Sequence, residues 1–100
     1  MKNNEIPKKT AYPTKKCKKM LDTALTYIAA DSPQQARIME EQFYEKVSII
    51  ERMPEIGTPY KNGIRKTSLG KFRRYNIYYR EKENEIEILG VWHTSRGTVF

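Results

Sequence analysis

The stretch from Lys71 to His93, KFRRYNIYYREKENEIEILGVWH, limits the possible folds most sharply, because two strand-type runs flank one short polar break. Phe72 to Arg80 is rich in aromatic and β-branched residues, Glu81 to Glu85 is charged, and Glu85 to Trp92 alternates again. The pattern predicts a β-hairpin. Side chains alternate along a strand, so Tyr75, Ile77 and Tyr79 share one face, and Arg74, Asn76, Tyr78 and Arg80 share the other. The first face is suited to burial and the second is basic and aromatic. In the second arm, Ile86 and Ile88 are expected against the core, leaving Leu89 and Val91 on the outer face.

The rest of the chain supplies cover for the buried face. A length of 100 residues bounds the molecule to one domain with a modest core. With hydrophobic content at 38%, that core must be concentrated in amphipathic elements. From Thr14, the positions Cys17, Met20, Leu21, Ala24, Leu25 and Ile28 follow the spacing of one helix face, with Thr14 as N-cap. Asp31, Ser32 and Pro33 end this helix and begin another. Ser32 caps it, Pro33 suits the first helical position, and Gln35 completes a capping box. Ala36, Met39, Phe43, Val47 and Ile50 form the second stripe, which runs to about Met53, where Pro54 and Gly57 close it. So short a connection makes the helices an antiparallel hairpin. Glu40, Glu41, Glu45 and Glu51 read as solvated surface.

Pro54 to Gly63, PEIGTPYKNG, is dense in turn formers and reads as a connection. Ile64 to Leu69 reads as a strand ahead of the central hairpin. The predicted fold is α+β: an N-terminal two-helix hairpin packed on an antiparallel sheet of three to four strands. Residues 1–12 read as a mostly flexible basic arm with a possible first strand near Lys8 to Tyr12, and residues 13–100 as the single folded domain.

Charge is unevenly placed. The net charge is +7, yet residues 21–60 are net acidic, and the positive excess falls in residues 1–20 and 61–82. Such blocks favour anionic partners, whether nucleic acid or an acidic protein. No run is long and apolar enough for a membrane span. Lysines near the N-terminus are not followed by an apolar export segment, and Cys17 has no second cysteine to pair with, so the expected compartment is the cytoplasm. One Cys and one His offer no metal-ligand cluster, and no phosphate loop or redox motif is present, so neither metal nor cofactor is expected.

What remains for chemistry is Arg65, Arg73, Arg74, Tyr78, Arg80, His93 and Arg96. These types suit RNA cleavage by 2′-hydroxyl attack, with His93 for proton transfer, Arg74 or Arg80 on the phosphate, and Tyr78 stacking or hydrogen bonding. The bland alternatives are a hydrogen-bonded structural His93, Arg80 paired with Glu85 or Glu87 across the hairpin, and Trp92 in the core. As a binding surface, Arg65, Arg73, Arg74, Tyr78, Leu89, Val91, His93 and Arg96 would form an apolar centre with a basic rim. Val99 and Phe100 are the residues that could fold back over it.

The order of these motifs, LDTALTYIAADSPQQA, MPEIGTP, FRRYNIYYR and IEILGVWHTSR, resembles the RelE/ParE toxin superfamily of type II toxin-antitoxin systems, with greatest similarity to ParE. An aromatic strand ending in Tyr79 and Arg80, followed by a strand running into His93 and Arg96, carries most of the likeness. Two features depart from the pattern: the Lys-rich N-terminus matches the first strand poorly, and no C-terminal catalytic Tyr of the nuclease branch is recognisable. The resemblance implies a growth-inhibiting, plasmid-stabilising toxin in the bacterial cytoplasm, a cognate antitoxin forming a hetero-oligomer with it, and DNA gyrase as target. The alternative it implies is a RelE-like endoribonuclease acting on messenger RNA at the ribosome. A non-toxic basic module binding protein or RNA is the further alternative.

Overall fold

The computed structural model describes residues 9–97 together with Val99 and Phe100. Strand β1 (Thr10–Pro13) is followed by helices α1 (Lys15–Ala29) and α2 (Pro33–Arg52). Strands β2 (Thr58–Lys61), β3 (Ile64–Leu69), β4 (Phe72–Glu81) and β5 (Glu85–His93) complete the fold, with short 3-10 turns at Pro54–Ile56 and Thr94–Arg96. The sheet has five strands in the order β1-β5-β4-β3-β2. It is mixed, because β1 runs parallel to β5 while every other pairing is antiparallel.

Local chemistry accounts for both helices. Thr14 Oγ1 accepts from Cys17 N at 3.1 Å, and Ser32 Oγ accepts from Gln35 N at 3.1 Å, so each helix start has a side-chain cap. The two apolar stripes meet the sheet. Cys17, Leu21 and Ala24 of α1 and Met39, Phe43, Val47 and Ile50 of α2 pack on Leu69, Tyr75, Ile77, Tyr79, Ile86, Ile88 and Val91. This is the core, and burial pushes the Cys17 thiol up to about 12, so it acts as a small apolar side chain.

The expected antiparallel sheet of three to four strands is corrected at both edges. On one side, the possible first strand near Lys8 to Tyr12 is realised as β1 at Thr10–Pro13, but it adds in parallel, the helical hairpin separating it from the rest of the sheet. Glu51, assigned from the sequence to solvated surface, instead accepts from Ala11 N at 2.7 Å and ties β1 to α2. The portion of the expected basic arm before residue 9 lies outside the described residues. On the other side, part of the turn-rich connection is a strand. Asn62 (φ 51°) and Gly63 (φ 76°) both occupy the left-handed region and close a two-residue hairpin between Lys61 and Ile64. Pro59 is tolerated because β2 is an edge strand.

A bulge in β5 reverses one expectation. Tyr78 pairs with Gly90 but Tyr79 pairs with Ile88, which leaves Leu89 as the extra residue. Alternation changes phase there. Ile86, Ile88 and Val91 consequently face the core together, and Val91 is only 2% exposed. Val91 therefore does not belong to the outer face, and Leu89 is half-buried at the bulge.

The junction between the helical hairpin and the sheet is closed by one phenol. Tyr79 Oη accepts from Gly57 N at 2.8 Å and donates to Pro54 O at 2.6 Å, while Arg65 Nη1 donates to Gly57 O at 2.6 Å. A Cβ on Gly57 would lie 2.7 Å from that phenol oxygen and 2.9 Å from the Lys66 carbonyl. Only glycine permits so close an approach.

Candidate functional site

The residues expected to act together in a nuclease stand apart. Tyr75 and His93 are opposite each other in the β4–β5 ladder and share the helix side, where their rings meet edge-on with centroids 4.9 Å apart. Arg74, next to Tyr75, projects from the opposite face. Arg80 is five residues beyond Tyr75 along β4, about 17 Å at roughly 3.3 Å per residue, and its guanidinium pairs with Glu87 at 3.1 Å. His93 is also engaged. Its Nδ1 accepts from Ser95 N at 3.1 Å and lies 2.7 Å from Ser95 Oγ, so the ring caps the Thr94–Arg96 turn and the proton of the neutral imidazole resides on Nε2. Both local alternatives foreseen for His93 and Arg80 are realised.

Tyr78 is on the outer face but only 4% exposed. Its ring meets Tyr60 at 5.2 Å on one side and Phe100 at 5.3 Å on the other. Gly90, opposite Tyr78, makes room for two side chains, since a Cβ there would lie 2.7 Å from Met20 Sδ and 3.0 Å from Phe100 Cζ. The apolar centre expected on this face is thus covered by the chain itself. Arg65 is committed to Gly57 O, whereas Arg73 and Arg74 are exposed and form no ion pair among the described residues.

At the hairpin end of β4 and β5, opposite charges meet. Beyond Arg80–Glu87, Lys82 lies 3.9 Å from Glu85 and 3.8 Å from Glu87, and Lys9 lies 2.9 Å from Glu81. Hydrogen bonding from Arg80 holds the Glu87 carboxyl below its usual range, aided by the charge of Lys82. The Tyr12 hydroxyl donates to Glu85 at 2.9 Å, which with those carboxylates raises its pKa to about 12.

The opposite end of the ladder is open. A cavity of about 100 Å³ lies between α1 and the start of the Thr94–Arg96 turn, floored by Met20, Ala24 and Val91, with Trp92, His93 and Arg96 on its sheet side and Tyr27 at its rim. Tyr27 is 67% exposed. Arg96 is the cavity's charged side chain, its guanidinium 5.9 Å from the Trp92 ring centroid. Burial raises the Tyr75 pKa, with the nearby Arg96 charge opposing the shift. Trp92 is half-buried rather than in the core, with its indole N–H donating to Gly97 O at 3.2 Å. Sequence reasoning singled out His93 and Arg96 but not Met20 or Tyr27 as their neighbours. No periodicity within one element reports a cavity formed between two.

Among the described residues, no cluster of His, Cys, Asp or Glu is placed to hold a metal ion, and no helix is long and apolar enough to cross a membrane. The arrangement offers binding groups, with its possible acid-base residue occupied in a turn. A solved structure described as the chromosomal ParDE TA system from P. aeruginosa has the same fold: TM-score 0.72 at 21% identity, covering 85% of this chain and 95% of that one. No curated protein sequence matches the chain. The family described as the ParE toxin of type II toxin-antitoxin system, parDE, matches residues 12–97. With the match extending from β1 through the Thr94–Arg96 turn, the chain belongs to the ParE toxin family within the RelE/ParE superfamily.

Proposed function

We propose that this protein inhibits bacterial growth by binding DNA gyrase in the cytoplasm, without cutting RNA, and that a cognate antitoxin neutralises it. The observation that carries the non-nuclease reading is the dispersal of His93, Arg74, Arg80 and Tyr78. General acid-base catalysis and phosphate clamping require groups converging on one scissile bond. Here His93 is on the helix side with Nδ1 bonded to Ser95, Arg80 is paired with Glu87, and Tyr78 is covered. Family membership supports the toxin class.

The cavity at the open end of β4–β5 is the best-supported seat for a protein partner. A protein interface gains most from an apolar anchor in a pocket beside a well-placed polar group. Met20, Ala24 and Val91 supply the apolar floor and Arg96 the charge. The antitoxin anchor is accordingly an apolar side chain with a neighbouring carboxylate, a location that replaces the outer-face centre built on Leu89 and Val91. Induction in cells tests the target. Plasmid supercoiling is expected to fall while transcript ends stay unchanged; transcript cuts that disappear in His93→Ala would overturn the reading.

A further inference from the structure

We propose that the outer face of β2, β3 and β4 docks the phosphodiester backbone of a nucleic-acid duplex. The sequence from Gly57 to Arg80 contains no Asp or Glu, while Lys61, Arg65, Lys66, Lys71, Arg73, Arg74 and Arg80 all lie within it. The sheet's carboxylates Glu81, Glu85 and Glu87 are gathered at the hairpin end of β4 and β5, where Lys9, Lys82 and Arg80 partner them. A one-signed sheet segment repels itself, and a polyanion relieves that repulsion while releasing its own condensed counterions.

The structure sets several of these charges in a row. Lys61 and Lys66 stand 5.4 and 5.3 Å from the centroid of the same Tyr60 ring. Tyr60 meets Tyr78, Tyr78 meets Phe100, and at the far end Lys16 lies 5.4 Å from the Phe100 centroid. Lys66 is opposite Tyr78 across β3–β4, which puts it on the face that also bears Arg74. Among the described residues, none of Lys16, Lys61, Lys66 or Arg74 forms an ion pair. Lys16 also occupies the first turn of α1, which contains no acidic residue and where the helix dipole disfavours a cation. Charge is held here without local compensation.

The same face is poorly made for protein. None of the exposed large apolar side chains belongs to β2, β3 or β4, so an interface here would lack a projecting anchor. Single strands are also disfavoured, because they bind by stacking bases on free aromatic rings. Tyr78 is 4% exposed between its two neighbouring rings, and the half-buried Tyr60 and Phe100 rings already carry lysine ammonium groups beside them. Contact with a duplex backbone needs only positioned cations and carries no sequence preference. This surface is argued from charge and burial, and it stands whether or not gyrase is the target.

Fluorescence anisotropy of the full chain with a short labelled duplex, in DNA and RNA versions, tests the proposal over a salt series. Both duplexes are expected to bind, with affinity falling linearly in log-log form. The triple variant Lys61→Gln, Lys66→Gln, Arg74→Gln should lower the magnitude of the slope by about 3, roughly one per lost phosphate contact. The matched variant Arg37→Gln, Lys46→Gln, Arg52→Gln on α2 should retain the parent slope. Each outer-face single substitution should lower it by about 1, which keeps the test decisive if the triple variant does not fold. Equal losses in the two triple variants, an unchanged slope in the outer-face variants, or binding of single strands alone would overturn the proposal. So would binding of an acidic peptide that loses affinity in the outer-face variants while duplex binding does not.

Discussion

Each end of the β4–β5 ladder presents an arginine, yet the two differ in what remains available to a partner. At the hairpin end, Arg80, Lys82 and Lys9 meet Glu87, Glu85 and Glu81. At the other end, Arg96 faces an aromatic ring beside an apolar cavity. An arginine close to a carboxylate is already partnered; one beside an unfilled cavity has its charge to offer. Basic residues in the sequence therefore mark surface in general, and the carboxylates folded against them decide which surface binds.

The largest expected effect lies beneath both ends. Phe43 is fully buried in the core that supports the whole ladder, and Phe43→Ala is expected to cost about 3–5 kcal/mol in denaturant melts. A loss under about 1 kcal/mol would remove Phe43 from the core assignment. Tyr79→Phe tests the closure at Gly57 and should cost about 1–3 kcal/mol, because it leaves the Gly57 N–H without its acceptor. The same melts check it, and a neutral result would show that water or a rearranged turn replaces the phenol.

Single substitutions at the two ends sharpen the contrast. Arg96→Ala should reduce antitoxin affinity at least about tenfold, near 1.4 kcal/mol, in calorimetric titration while leaving the melt almost unchanged. Arg80→Ala should do the reverse, changing stability by about 0–1 kcal/mol, as exposed pairs do, and leaving affinity intact. If both variants bind alike, the open cavity is not the antitoxin's seat. The smallest effect is a pH dependence. Because the Glu87 carboxyl is held below its usual range in the folded protein, its stabilising contribution is present above its unfolded pKa and is lost as pH falls through the folded value. Glu87→Gln should flatten that acid limb of the melting-temperature profile, and an unaltered limb would assign it to other carboxylates.

The helices and central strands were legible because each is specified by a periodicity within a single element. The stripes from Cys17 to Ala24 and from Met39 to Ile50 reached the core as expected. β1 reads only as a possible strand, and its parallel pairing not at all, because its four residues are tied down by Glu51 and by β5, both distant in sequence. β2 left a clearer trace. Asn62-Gly63 is a strong hairpin signal, but the turn formers on either side of it hide the strand between them. Gly90 likewise marked the bulge that carries Val91 into the core, since a glycine inside a strand often signals broken alternation. Of the site, the sequence offers the pairing of Arg80 with Glu87 and a hydrogen-bonded His93 as alternatives, and the structure contains both contacts. The contact of Phe100 with Tyr78 was foreseen only as a general return of the last residues, and the Tyr60 ring was not anticipated because β2 was not.

Inhibition by binding rather than by cleavage can be read out with purified components. The protein is titrated into a gyrase supercoiling reaction and, separately, into a translating ribosome reaction with labelled messenger RNA, each with and without His93→Ala. Supercoiling is expected to be lost with both the parent and a folded His93→Ala variant, with the messenger RNA intact. Unimpaired supercoiling together with messenger RNA cuts that require His93 would contradict it.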